Sequence, residues 1–480
     1  MTIQAGLRTP GLQTGTRFRA GLRQRRRWPV LGWRLELHRF WRDPVGYMSD
    51  VYSRYGLLSF LGQNDPQYVF SFSPELNRPL SDDSDLFHWA AGKNWTGGPR
   101  CLQILRASVS NMDGDEYKLR KVLMRPAFHH SIVHSAQDKI VNHTEQLLSR
   151  WRTGERRDVN AEVRRLVHDI SMSVVLGLED KPTVERIYQL VESVYAYSGH
   201  FLIGVLPYDI SISPFRKLVR TGDEIVELMR SLIRKKRESD ETPSDMLAML
   251  MRSTTEQGES LDETEVISET YNIMGHDTTV SALMWCIILL ALHPEARDRL
   301  VVEIDTLLRH ENLKSFNFAR LPYLDWVIKE SLRLMPPQCF SRRFTTSPCK
   351  LGPLDLKMNT PIFLSSYITH RLPELYTDPL RFIPERWEHA SPSPSEYFPF
   401  GAGAHYCPGR ALALLEIKIV LAMLFQRYQL TLSPGQRIDR MPRSRMLLSP
   451  KGSVPMRVLP QGSHQTAARV TGDIAAMVAL

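Results

Sequence analysis

Between residues 41 and 323 apolar side chains recur at three- and four-residue intervals, the spacing of helices that bury one face. The clearest runs are 159–178, 183–197, 221–237 and 261–292, and each is predicted as a helix. Proline and glycine punctuate them, as at Gly204 with Pro207 and at His293-Pro294. Period-two alternation comes later: 354–358 and 362–366 flank Asn359-Thr360-Pro361 and read as a hairpin. A loop follows, and then a long apolar helix begins near residue 407. Neither a repeat nor a low-complexity linker divides the chain. The pattern predicts a mainly α fold with small β-sheets, in a single large domain over 28–460, with a basic tail at 1–27 and a C-terminal tail at 461–480.

Charge and cysteine content narrow the setting. Eight arginines precede the first acidic residue, Glu36, and carry most of the +9 net charge; the remainder is near neutral, which argues against nucleic-acid binding. The basic tail reads as a solvated arm, a peripheral contact with an anionic membrane, or an organelle-import segment. The longest uninterrupted apolar run, 282–292, is too short to cross a bilayer, and no apolar stretch near the N-terminus serves as a signal. The five cysteines are scattered and contain no CxxC pair, so neither a disulfide framework nor a zinc ribbon is expected. A soluble, cytoplasmic protein is expected.

The chemistry concentrates at residues 398–410, F-P-F-G-A-G-A-H-Y-C-P-G-R. If Cys407 caps the following helix, Pro408 takes the first helical position, where its missing N–H costs nothing. The amides of Gly409 and Arg410 then point at the sulfur and favour a thiolate. Gly401, Gly403 and Gly409 leave room for a flat group against the backbone, Phe400 can pack beside it, and His405 can donate to an acidic substituent of that group. A lone cysteine is ordinarily a small buried hydrophobe, the reading given to Cys101, Cys286, Cys339 and Cys349. That reading does not account for Phe400, Gly403, His405 and Gly409 at fixed offsets around Cys407.

This stretch resembles the haem-binding signature of the cytochrome P450 family: Phe400, Gly403, His405, Cys407 and Gly409 meet every fixed position. The resemblance implies the cytochrome P450 fold and haem b, with Cys407 as the axial thiolate to iron. Other segments resemble family motifs in the expected order, over roughly 28–459. Glu330 and Arg333, three apart on a helix face, resemble the ExxR ion pair, and Arg386 in F-I-P-E-R-W resembles the arginine that joins it. Met274-Gly275-His276-Asp277-Thr278 resembles the oxygen-activation motif. It implies that Thr278 hydrogen-bonds dioxygen or its water and that Asp277 helps deliver protons, while Gly275 loosens the helix. Met274 departs from the usual alanine or glycine and is expected to narrow the pocket. Tyr117 and Lys121 occupy the offsets of two haem-propionate ligands, with Arg120 as competitor, and Arg343 matches a third, with Arg342 adjacent.

The resemblance implies a monooxygenase that inserts one atom of O2 into a C–H or double bond of a hydrophobic small molecule, lipid-, terpenoid- or steroid-like. Electrons are expected ultimately from NAD(P)H, through a separate ferredoxin- or flavodoxin-type donor. Substrate-facing residues are expected in 95–112, 201–212 and 271–274. Two alternatives remain at this level: a P450-fold isomerase or dehydratase that needs no external electrons, and a haem-thiolate sensor without turnover. The Asp277-Thr278 pair counts against both, because neither needs a proton relay.

Overall fold

The computed structural model describes residues 32–62, 66–89, 98–198, 213–238, 245–441, 446–463 and 468–480. The arginine-rich tail, the expected substrate-facing stretch 201–212 and the region around Trp95 lie outside these residues.

In the described residues the helices are α1 Gly32–Arg42, α2 Pro44–Tyr55, α3 Pro74–Asp82, α4 Arg100–Arg106, α5 Gly114–Met124, α6 His130–Leu148, α7 Val159–Leu176, α8 Lys181–Ser198 and α9 Pro214–Arg237. They continue with α10 Met246–Arg252, α11 Glu263–Ile273, α12 Asp277–Leu292, α13 Pro294–Leu308, α14 Pro322–Leu334, α15 Ser366–Thr369, α16 Arg410–Arg427 and α17 Ile474–Met477. Local chemistry sets several ends. Asp158 caps α7 through the Ala161 amide, and Gly177 closes that helix at φ +64°, a left-handed geometry that favours glycine. Asp262 and Glu265 form a capping box at the start of α11.

Helix α12 is buried on every side from Val280 to Leu292, as an all-round apolar sequence requires. It packs against α7, α14 and α16 and forms the centre of the hydrophobic core. The stretch Glu263–Leu292 is, among the described residues, the one with the length and apolarity to cross a membrane, and it is largely buried within the fold. The predicted continuous helix over 261–292 is in fact two. Met274 and His276 keep α-region dihedrals, but the regular hydrogen bonding lapses before α12 starts, and the Gly275 amide turns to Asn272 O at 3.2 Å. Glycine destabilises the helix there, and the side chains of Asp277, Thr278 and Thr279 compete for main-chain hydrogen bonds.

The strands β1 Leu58–Leu61, β2 Tyr68–Ser71, β3 Phe87–His88, β5 Ser341–Thr345 and β8 Pro361–Leu364 form a five-stranded sheet in the order β1-β2-β8-β5-β3. Strands β4 Arg156–Asp158, β9 Tyr428–Thr431 and β10 Pro455–Pro460 form a second sheet. Strands β6 Cys349–Leu351 and β7 Leu354–Leu356 form a third. The hairpin expected between 354–358 and 362–366 does not form. β7 pairs with β6, whereas β8 lies parallel to β2 and antiparallel to β5. Ile362, Phe363 and Leu364 are all buried, so β8 needs neighbours on both edges, and the central position supplies them.

The C-terminal segment is not a tail. Val470, Ile474, Met477 and Val478 are buried in the main core. The Ala479 amide donates to Leu380 O at 2.8 Å, and the Ile438 amide donates to Thr471 O at 2.8 Å. Arg371, itself buried, donates to Met477 O at 3.3 Å. Four apolar side chains in a short span are enough to hold the segment down, a density too local to register against the polar run that precedes it. Ile474→Ala is therefore expected to cost about 3 kcal/mol in a denaturant titration. Leu480→Ala, at a 60% exposed position, is expected to leave the midpoint unchanged.

Candidate active site

Cys407 lies in the long connection between α15 and α16, and its placement depends on a buried ionic cluster. Glu330 and Arg333 on α14 are fully buried and paired in two parallel contacts, Nε to Oε2 at 2.9 Å and Nη2 to Oε1 at 2.8 Å. Arg386 Nε, Trp387 Nε1 and the Ile383 amide also donate to the Glu330 carboxylate, at 2.9, 2.9 and 3.0 Å. Arg333 donates in turn to the carbonyls of His370, Pro379 and Arg381. Burial alone pushes Glu330 up, but the hydrogen bonds and charge of Arg333, with the charge of Arg386, hold it below its ordinary value. The three charged residues expected to form a network from the sequence do come together, and the cluster ties α14 to the backbone that leads into the cysteine loop.

Within the loop, Gly403 has φ +67°, and a Cβ there would lie 1.8 Å from Ser81 O. The missing side chain serves a close approach of the loop to the end of α3. Cys407 is not the helix cap. Pro408 and Gly409 form a turn, Gly409 is the cap and α16 starts at Arg410. The Gly409 and Arg410 amides still donate toward Cys407 Sγ. Burial outweighs them and raises the free thiol above its ordinary pKa. Phe400 packs against the core with the Arg410 guanidinium 5.9 Å from its ring.

Four expected cofactor-binding side chains converge beside this loop. Tyr117 OH and Lys121 Nζ, one turn apart on α5, both donate to Ala404 O at 2.5 Å. Tyr117 lies 4.1 Å from the His405 ring, which stacks on Trp89 at 5.3 Å. Arg343 also lies over Trp89, with its guanidinium 4.2 Å from the ring. Alternation along β5 buries Arg343 and exposes Arg342, which separates the two neighbours. Arg120, the competitor on α5, is committed elsewhere, to the carboxylates of Glu265 and Glu269 on α11. His405 was expected to face an acidic substituent of a bound group; its Nε2 instead sits 3.1 Å from Asp113 Oδ1.

Burial lowers Lys121 and brings Arg343 down to about 10, while it raises Tyr117 to about 12. Neither Lys121 nor Arg343 has a carboxylate within ion-pair distance among the described residues. A cleft of about 810 Å³ is lined by Cys407 itself with Lys121, His134, Phe318, Arg410 and Lys418.

Asp277 and Thr278 belong to a separate place, the start of α12. Asp277 pairs with Arg164 on α7, and Arg164 also reaches Glu192 on α8 at 3.5 Å. Gly275 and Thr278 are exposed while Met274 and His276 are buried, so the helix gap presents one open side. Arg164 and Trp89 were missed from the sequence, because neither carries a motif and both come from distant elements.

Comparison with known proteins decides the family. A family model described as Cytochrome P450 matches residues 23–456. This chain is a cytochrome P450. Cyclooctat-9-en-7-ol 5-monooxygenase from Streptomyces melanosporofaciens is 28% identical over 420 residues, covering 85% of this chain and 89% of that protein. Cyclooctatin synthase from the same organism is 27% identical over 387 residues, covering 76% and 82%. The solved structure of retinoic acid bound cyanobacterial CYP120A1 shares the fold, with a TM-score of 0.73 at 22% identity over 86% of this chain and 94% of that one. The P450 is thus a haem-thiolate monooxygenase, and it uses dioxygen, an organic substrate and a redox partner.

The P450's own residues fit a haem. A thiol sits just before a helix, and near its loop two buried or half-buried cations have no carboxylate within ion-pair distance among the described residues, which suits a planar metal complex carrying acidic groups. Removing one member of the buried cluster should disrupt this site at a distance. Glu330→Gln is expected to destabilise the fold by about 3–5 kcal/mol, and purified protein should contain far less haem per chain by absorbance than the wild type.

Proposed function

We propose that Cys407 is the iron-ligating cysteine of this monooxygenase. The observation that carries the proposal is the pair of amides, Gly409 and Arg410, directed at a sulfur whose loop adjoins Lys121 and Arg343, cations with no carboxylate within ion-pair distance among the described residues. Tyr117, Lys121 and Arg343 would hold the haem carboxylates, with His405 joining them by turning its Nε2 from Asp113, and Phe400, Gly403 and Gly409 would shape the loop. The haem, when bound, supplies the reductive activation of dioxygen and the transfer of one oxygen atom to a C–H or double bond.

The chain supplies the proton. Thr278 holds a hydroxyl at the open side of the helix gap, and the Asp277 carboxylate beside it connects through Arg164 to Glu192, which is 38% exposed. Asp277 passes protons drawn from the solvent beside Glu192 to Thr278 Oγ1, and Arg164, which stays protonated, holds the carboxylate in place. Electrons come ultimately from NAD(P)H through a ferredoxin- or flavodoxin-type protein. The cationic lining of the cleft at Cys407 supports an acidic donor of that kind docking there. The substrate is a hydrophobic, terpenoid-like molecule, a reading supported by the relatives named for cyclooctat-9-en-7-ol and cyclooctatin. The setting is the cytoplasm; the alternative is peripheral membrane contact through the arginine-rich tail.

Thr278→Ala is expected to retain haem but to divert about 90% or more of the consumed dioxygen to hydrogen peroxide, measured with an oxygen electrode and a peroxide assay; a loss of about 1.4 kcal/mol in proton delivery is tenfold. Unchanged partition would contradict the role of Thr278. A second test uses the raised thiol. Ligation requires the thiolate, so below the thiol pKa the apo-chain's haem affinity should rise about tenfold per pH unit, and Cys407→Ala should remove that slope. A slope that persists in the variant would place the linked proton on another group.

A further inference from the structure

The helix gap leaves the Met274 carbonyl without a main-chain donor: the amides of Thr279 and Val280 both go to His276 O, and no described amide reaches Met274 O. His276 replaces the missing donor, with Nδ1 2.9 Å from Met274 O. A carbonyl only accepts, so Nδ1 carries the hydrogen and the Nε2 of the neutral ring is a bare lone pair. Nε2 is buried and has no partner. His168 on α7 repeats the arrangement. Its Nε2 faces Val184 O at 3.3 Å, so its Nδ1 is also a lone pair, and it too is buried without a partner. The two rings lie 5.2 Å apart at 69°. His168 is fully buried and His276 is 6% exposed. Burial lowers both pKa values, His168 to about 3, which keeps both rings neutral. The nearest charges, Arg164, Asp277 and Glu192 beside His276 and Arg165 and Glu185 beside His168, are paired among themselves.

Two adjacent acceptors in an apolar interior call for a species with two donors, and a water molecule has them. We propose that His276 is a positioning residue for oxygen activation: it holds the helix gap open through the Met274 carbonyl and is itself fixed to α7 by one buried water that donates to His276 Nε2 and His168 Nδ1. The same two elements carry the Arg164–Asp277 pair, so the water and the ion pair brace the gap side by side. Losing the His276 donor frees Met274 O to take the Thr278 amide, which continues the helix and withdraws the open side at Gly275 and Thr278. The functional half of this inference rests on the oxygen-activation reading of 274–278; the structural half does not.

The test is a high-resolution crystal structure of the holoenzyme, wild type and His276→Leu, with peroxide release per dioxygen consumed measured on the same preparations. The wild type is expected to show a water within about 3.2 Å of both nitrogens, and His276→Leu a Thr278 amide bonded to Met274 O. Peroxide release in His276→Leu should rise about tenfold at normal haem content, whereas His276→Asn, which restores a donor to the carbonyl, should stay within about twofold of wild type. A dry contact, a metal ion with anomalous signal between the rings, or a gap unchanged in His276→Leu would overturn the proposal. If His276→Leu does not fold, His168→Phe tests the same water, and an unaltered His276 position in that variant would also overturn it. Unchanged peroxide release in Thr278→Ala would overturn the oxygen-activation reading and with it the functional half, while the water and the helix gap would still be decided by the crystal structures.

Discussion

A carboxylate with no access to solvent is tolerated only where every lone pair is matched, and Glu330 is such a group. It receives two bonds from Arg333, one each from Arg386 and Trp387, and one from the Ile383 amide. The requirement runs outward, because Arg333 must also be satisfied and takes three carbonyls from 370–381. One buried charge thereby fixes the course of a long irregular stretch that no sheet or helix would otherwise hold. That stretch leads to the cysteine loop, and the C-terminal segment covers it through Ala479 and Leu380.

Around Cys407 the balance is opposite. Lys121 and Arg343 donate to carbonyls or rest on Trp89, with no carboxylate within ion-pair distance among the described residues, and burial lowers both. Such cations cost stability, and in the proposed site haem carboxylates would offset that cost. The thiol shows the same tension: the chain aims two amides at the sulfur but buries it enough to keep it protonated when free. A site of this kind is completed by its cofactor, which suits a P450 whose fold and haem loading depend on each other.

Legibility from the sequence followed the range of the interactions. The cysteine loop and the Glu330–Arg333 pair could be read because their parts are close in sequence at fixed spacing. Arg164 could not, since its partner Asp277 lies on another helix and neither position marks the other. The break at 274–276 was masked by an apolar pattern that runs through both halves of the helix; periodicity reports which face is buried, not whether each carbonyl finds an amide. The hairpin assigned around Asn359 had the right turn chemistry, with φ +63° at that residue, but strand partners are chosen by burial on both edges. The C-terminal segment failed for a similar reason, since four core contacts in a short polar stretch leave little periodic signal.

The central claim is that Cys407 binds haem iron as a thiolate, and the carbon monoxide difference spectrum of the dithionite-reduced protein tests it most directly. The account predicts the red-shifted Soret band that a thiolate ligand produces, and its loss in Cys407→Ala. A haem-loaded protein whose band lies where a histidine-ligated haem absorbs, or whose red-shifted band survives Cys407→Ala, would contradict it.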